Sequence, residues 1–182
     1  YNVSLVIDDK IISTKKMDVL KDPHSEGSLE DIGLQISLMK KIYDDLNITA
    51  KYVNSIEKVR RQLLDLKSIL SSSENNQSII LKINEIENKF LEIEKKLLQL
   101  QTTGTGQDEV RYEKMIGEKL AYLANNVPNA DFKPADSYYE VYEILHKRLE
   151  NVGVEYDNLM DTELKAFIQK LNSEGVNTIV LK

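Results

Sequence analysis

The chain contains no cysteine and no tryptophan, and only two histidines, among its 182 residues. Without cysteine there are no disulfides, thiolate metal sites or cysteine nucleophiles, a composition that fits cytoplasm and periplasm equally. With His24 and His146 as the only imidazoles, a zinc site or a nucleophile–histidine–acid triad lacks parts. Long apolar runs are missing too, far short of the ~20 residues that span a bilayer. Lys and Arg number 24 against 30 Asp and Glu, a net charge of -6. That balance argues against a nucleic-acid binder, which needs a basic face. No phosphate-cradling loop is present, because Gly104 and Gly106 lack the flanking strand and the lysine.

What is present is apolar periodicity. The length suits one domain, or one domain with a fragment of another, and an apolar fraction of 41% is enough for a core. From Ser28 to about residue 73, apolar side chains recur in steps of three and four: Leu29, Ile32, Ile36, Met39, Tyr43, Leu46, Ala50 and Val53. In the second half the stripe drifts to Ile42, Thr49, Ile56, Leu63 and Leu70, joined by Val59 and Leu66. The spacing predicts one very long amphipathic helix, with a second helix on its later half and a fourth on its earlier half. Ser28 is a good N-cap, and Glu30 and Asp31 suit the first turn.

Ahead of this helix, Val3, Leu5 and Ile7 alternate with polar residues, Asp8-Asp9 reads as a turn, and a second extended stretch runs from Lys10 to Leu20. The expectation is a β-hairpin over residues 1–24. It either packs on the helices or forms the last two strands of a β-sandwich, and the second is favoured, because two strands alone are marginal and leave open edges. Tyr1 begins inside the strand and no signal peptide is visible, so the chain reads as a piece of something longer.

After a turn at residues 71–76, Ile79, Ile83, Ile86, Phe90, Ile93, Leu97 and Leu100 give a second helix, about 77–101, antiparallel to the first. A loop with Gly104 and Gly106 precedes a third helix, about 108–126, with Tyr112, Ile116, Leu120 and Leu123 inward. A fourth, about 134–174, carries Tyr142, Leu145, Leu149, Val152, Tyr156, Leu159, Leu164, Phe167 and Leu171. Gly153 and Asp161-Thr162 are its expected kink or restart points. The fold class is therefore mainly α: an antiparallel bundle of long helices over 25–182 with an N-terminal hairpin.

Each candidate for chemistry has a plain alternative. Glu143 and His146 make a Glu-x-x-His pair, as in di-iron bundles, but a second pair cannot be assembled from His24 in the linker, and His146 reads as a boundary residue. Glu92 and Glu94 are two apart on a helix and diverge, so they are no glycosidase pair. Lys58, Arg60, Arg61 and Lys67 read as a solvated face paired with Glu57 and Asp65. Residues 135–174 hold nine acidic and four basic side chains, -5 in all, which could face a cation or a basic partner but reads as solvated surface. Asn2, Asn47 and Asn76 head glycosylation sequons, with Asn47 mid-helix. No catalytic, cofactor or metal residue is assigned.

Several motifs carry a family resemblance. Ser28-x-x-Asp31-Ile32-x-x-Gln35-Ile36-x-Leu38, with Ile56-x-x-Val59-Arg60-x-Gln62-Leu63-x-x-Leu66, resembles the C-terminal region of bacterial sortilin-like (VPS10, BNR-repeat) β-propeller proteins, often labelled glycosyl hydrolases. Tyr1-x-Val3-x-Leu5-x-Ile7-Asp8-Asp9-Lys10, ending in Val19-x-x-Asp22-Pro23, is similar to the last hairpin of that family's Ig-like sandwich, with Asp9 where glycine is usual. Lys119-Leu120-x-x-Leu123, Pro134 through Tyr139-Glu140-Val141-Tyr142-Glu143-x-Leu145, and Asp161-x-x-Leu164-x-Ala166-Phe167 with Gly175 and Ile179 extend the likeness over the whole chain, with Lys165 where proline is common. The resemblance implies an exported parent, with any hydrolase site in a propeller outside this chain, where no Asp-box occurs. It also implies docking on the parent's propeller and Ig-like domain or on a protein partner, and the hairpin edge offers a route to a homodimer. The rival reading is a freestanding coiled-coil interaction module.

Overall fold

The chain is mainly α-helical, a helical bundle preceded by a two-stranded hairpin, in the computed structural model that describes residues 1–72, 76–101 and 112–176. Strands β1 (Asn2–Ile7) and β2 (Lys10–Lys16) pair antiparallel, from Asn2 opposite Lys16 to Ile7 opposite Lys10. Asp8 and Asp9 close the turn with φ of 48° and 61°. Positive φ at both central residues is the mirror-image turn whose twist matches the strands, and aspartate reaches it where glycine would be the commoner choice. The register slips between Leu5 and Val6, leaving Ile12 as an extra residue on β2, a β-bulge. The second strand stops at Lys16, short of the expected Leu20. Every strand residue is exposed, so the hairpin does not pack on the helices.

The linker crosses the bundle end at Gly27, which is buried. A Cβ there would lie 1.3 Å from the Asp131 carbonyl oxygen, so the approach needs glycine. Helix α1 (Leu29–Leu70) follows, 42 residues and so roughly 63 Å. Its start is a reciprocal cap: the Asp31 N–H donates to Ser28 Oγ and the Ser28 N–H to Asp31 Oδ2, both 3.0 Å. These bonds from Ser28 hold the Asp31 carboxyl below the usual carboxylate range.

The buried stripe of α1 corrects the expectation for its first half. Leu29, Ile36 and Tyr43 are exposed, and Gln35, Leu38 and Asp45 are buried in their place, in line with the expected Ile42 and Thr49. With Ile56, Val59, Leu63, Leu66 and Leu70 they form one nearly unbroken heptad seam with no drift. Three of its N-terminal positions are polar, which hides the seam from an apolar-periodicity argument.

Helices α2 (Gln77–Leu97) and α3 (Ile116–Asn126) form a single descending column beside α1. Arg60 of α1 meets Glu87 and Glu94 of α2, so α2 runs antiparallel along the later half. The Gln35 side chain donates to Val127 O at 2.9 Å, just past the end of α3, and Gly117 lies beside Thr49, so α3 continues along the earlier half. The expected helices 77–101 and 108–126 are both shorter. Leu98 turns extended, and the Glu118 carboxylate takes the Gln99 N–H at 2.9 Å and the Met115 N–H at 3.0 Å. One side chain thus caps the exit of α2 and the entry of α3. Leu100 and Tyr112, expected inward, are exposed, and Gly104, Gly106 and residues 108–111 lie outside the described residues.

The third column holds α4 (Asp136–Asn158), a π-helical turn (Leu159–Leu164) and α5 (Lys165–Ser173). It runs parallel to α1, as Asp45 meets His146 and Ser55 meets Tyr156, and antiparallel to α2. Between Leu159 and Leu164 the apolar step is five, and the wider π turn keeps both side chains buried without breaking the helix. The expected restart at Asp161-Thr162 is this turn. Gly153 does not interrupt the helix: it sits within α4, where a Cβ would be 2.8 Å from the Tyr52 hydroxyl.

Candidate functional site

The side chains most able to carry chemistry lie on a polar seam where α1 meets α4 and α2. Asp45 occupies a core position of α1, with its side chain only 4% exposed. A carboxylate oxygen only accepts, so His146 Nδ1, 2.8 Å from Asp45 Oδ2, carries the hydrogen and donates it. His146 Nε2 then faces Glu150 Oε1 at 3.7 Å. The Tyr142 ring stacks on the imidazole with centroids 5.5 Å apart. Burial, and then the charge and hydrogen bond of Asp45, push the Tyr142 phenol well above its ordinary range. Thr49 Oγ1 donates to the Asp45 carbonyl at 2.8 Å, which satisfies its hydroxyl inside the core.

Further along, the Tyr156 hydroxyl donates to Ser55 Oγ at 2.6 Å, and its ring lies 4.7 Å from that of Tyr52. Burial, helped by Asp157, raises the Tyr52 phenol. Arg60 then bridges to α2, with Nε 2.9 Å from Glu87 Oε1, Nη2 2.8 Å from the same oxygen, and Nη1 on Glu94 Oε2. Burial alone would lower the guanidinium pKa, but the two carboxylates outweigh it and raise it. Among the described residues no buried side-chain nitrogen or oxygen lacks a partner. The seam is therefore a set of satisfied cross-helix bonds that fix the register of the columns.

The structure separates the sequence candidates. Glu143 is exposed, while His146 turns to Asp45, so the Glu-x-x-His pair does not converge. His24 lies exposed in the linker, its N–H on Asp22 Oδ1 at 2.8 Å. Glu94 is buried against Arg60, whereas Glu92 is exposed on Lys95 at 2.6 Å, so these carboxylates diverge. Arg60 departs from the expected solvated face: its partners are Glu87 and Glu94, not Glu57 or Asp65. The acidic third column meets α2 through Lys89–Glu163 at 2.6 Å and Lys96–Glu155. Asn76, head of one sequon, donates from its side chain to Leu70 O at 3.1 Å. Among the described residues no group of three or more His, Cys, Asp or Glu is placed to hold a metal ion, and no helix is long and apolar enough to cross a membrane. Sequence reasoning placed Thr49 on the stripe but missed Asp45 and Gln35 there, whose only signal is their place on the heptad extended back from Leu70.

Two surface features remain. A groove of about 420 Å³ between α3 and α4 is lined chiefly by Tyr122, Leu123, Tyr138 and Val141. The hairpin is the larger feature, with Val3, Leu5, Val6, Ile7, Ile11 and Ile12 all more than half exposed. Exposed apolar patches of this kind are interaction sites, ligand grooves or aggregation-prone surface. Comparison with family models, with curated proteins and with solved structures gives no match.

Proposed function

We propose that this chain is a non-catalytic accessory and interaction module, the C-terminal helical region of a larger exported sortilin-like β-propeller protein of the kind labelled glycosyl hydrolases. In this reading the bundle is a stiff support and the hairpin is the element that docks, on the parent's Ig-like domain and propeller or on a protein partner. Any hydrolase site would belong to the propeller. The single observation that carries the docking role is the hairpin itself, apolar on both faces and unpacked against the bundle. The identity of the parent rests on the motif resemblance alone.

The mass of the native gene product tests the parent. A product several times larger than 20.9 kDa, in the exported fraction, supports this reading, and one near 20.9 kDa sinks it. The exposed apolar groove between α3 and α4 favours a second reading, a freestanding coiled-coil-type interaction module, which the smaller product would select.

A further inference from the structure

We propose that β1, not β2, is the docking edge of the hairpin, and that its occupant is β1 of a second copy, paired antiparallel with Ser4 on the two-fold axis. This rests on the hairpin being the docking element and not on the identity of any parent.

The two edges differ in chemistry. β2 carries Lys10, Lys15 and Lys16 and the bulge at Ile12, devices that blunt a strand edge against pairing. β1 from Asn2 to Ile7 has no charged side chain, no proline and no bulged residue of its own. Its backbone is also set for a neighbour. Tyr1 and Met17 exchange both N–H···O bonds, each 2.8 Å. By the antiparallel alternation Val3 and Leu5 then also bond toward β2, and Asn2, Ser4 and Val6 point their N–H and C=O groups outward. The Ser4 and Thr14 hydroxyls, 2.8 Å apart, fit the closer pair of that alternation.

A two-fold through Ser4 uses all of these groups. Ser4 faces Ser4 of the second copy, and Asn2 faces its Val6, so the outward donors and acceptors pair. Val3 then lies opposite the second copy's Leu5 on the other face, and the apolar rows of the two copies merge. The lysines stay on the outer strands. The product is a four-stranded sheet, β2–β1–β1–β2, blunted at both edges, where each hairpin alone is marginal. Pairing through β2 would instead set the lysines of two copies on neighbouring strands and leave β1 open.

The absence of native cysteine makes the test direct. Directly opposed residues of such a pair have Cα atoms about 5.5 Å apart, within reach of a disulfide. We expect the full chain to show a reversible dimer by sedimentation equilibrium. Under mild oxidation Ser4→Cys should give a disulfide-linked dimer, and Thr14→Cys, on the outer edge, should link at least about tenfold more slowly. Leu5→Lys should weaken the dimer by about tenfold or more, whereas Thr14→Lys should leave it unchanged. If Leu5→Lys melts the hairpin, the two cysteine variants still decide. A chain that stays monomeric at millimolar concentration without a Ser4→Cys dimer overturns the pairing and leaves the edge to a strand of another protein. Equal linking at Thr14→Cys overturns the assignment to β1. The native product's mass tests the parent separately, so the two failures are distinguishable.

Discussion

Val3, Leu5 and Ile7 of the hairpin and Ile42, Ile56 and Leu63 of α1 are side chains of one kind with opposite fates. The first three are half exposed, and the last three are fully buried. Among the described residues the strands pair with each other alone, while α1 has helical columns along its length. Apolar character alone therefore does not decide burial in this chain. The helical periods of three columns coincide and close on one another, and a strand period of two finds no second sheet to close against.

Truncating one apolar side chain in each region should separate their contributions to stability. Phe90→Ala, at a fully buried position of α2, should cost about 3–5 kcal/mol in urea unfolding. Leu5→Ala should change bundle stability by less than about 0.5 kcal/mol. A comparable loss from Leu5→Ala would mean that the hairpin supports the bundle after all.

Arg60→Ala comes next. It leaves the Glu94 carboxylate, 4% exposed, without its guanidinium, and should cost about 3 kcal/mol. Replacing Arg60 and Glu94 together by Met and Leu should recover the part of that loss due to Glu94, the more buried carboxylate, and leave only Glu87, 15% exposed, without the guanidinium. A double variant as unstable as the single one would show that packing, and not the stranded charge, sets the cost.

The smallest effect is a pH slope. The Tyr142 phenol is raised by burial and by Asp45, so the folded state holds its proton above the unfolded value of about 10. Stability from this group is full below that pH and falls as pH rises past it, because the unfolded state then binds fewer protons. Urea unfolding followed from about pH 9 to 11 should fall more steeply for the native chain than for Tyr142→Phe. Parallel curves would remove Tyr142 from the alkaline transition.

Much of the fold was legible in the sequence, and the gaps have physical reasons. The hairpin turn, the Ser28 cap and the inner faces of α2 and the third column follow from local pattern. Near Asp161-Thr162 a kink or restart is the expectation, and the structure has a π turn there instead. The first half of α1 was not legible, because Gln35 and Asp45 belong to its buried face through bonds made to remote partners, Val127 O and His146. Asp45 and His146 are 101 residues apart, and nothing local joins them. The early end of α2 and the late start of α3 depend on Glu118 reaching back to Gln99, again a tertiary event. No clustered catalytic set could be read from the sequence, and the seam that the structure assembles is a register lock.

The odd number of columns has a mechanical consequence. An even count returns a chain to the end where it entered. Here the chain enters α1 beside Gly27 and leaves through α5, whose Lys170 shares a groove with Ser78 at the far end. Entry and exit are therefore separated by about the length of α1, roughly 60 Å. Whatever is tethered before Ser28 and whatever follows Ser173 are held apart by a ruler of fixed length, with Gly27 as its zero mark.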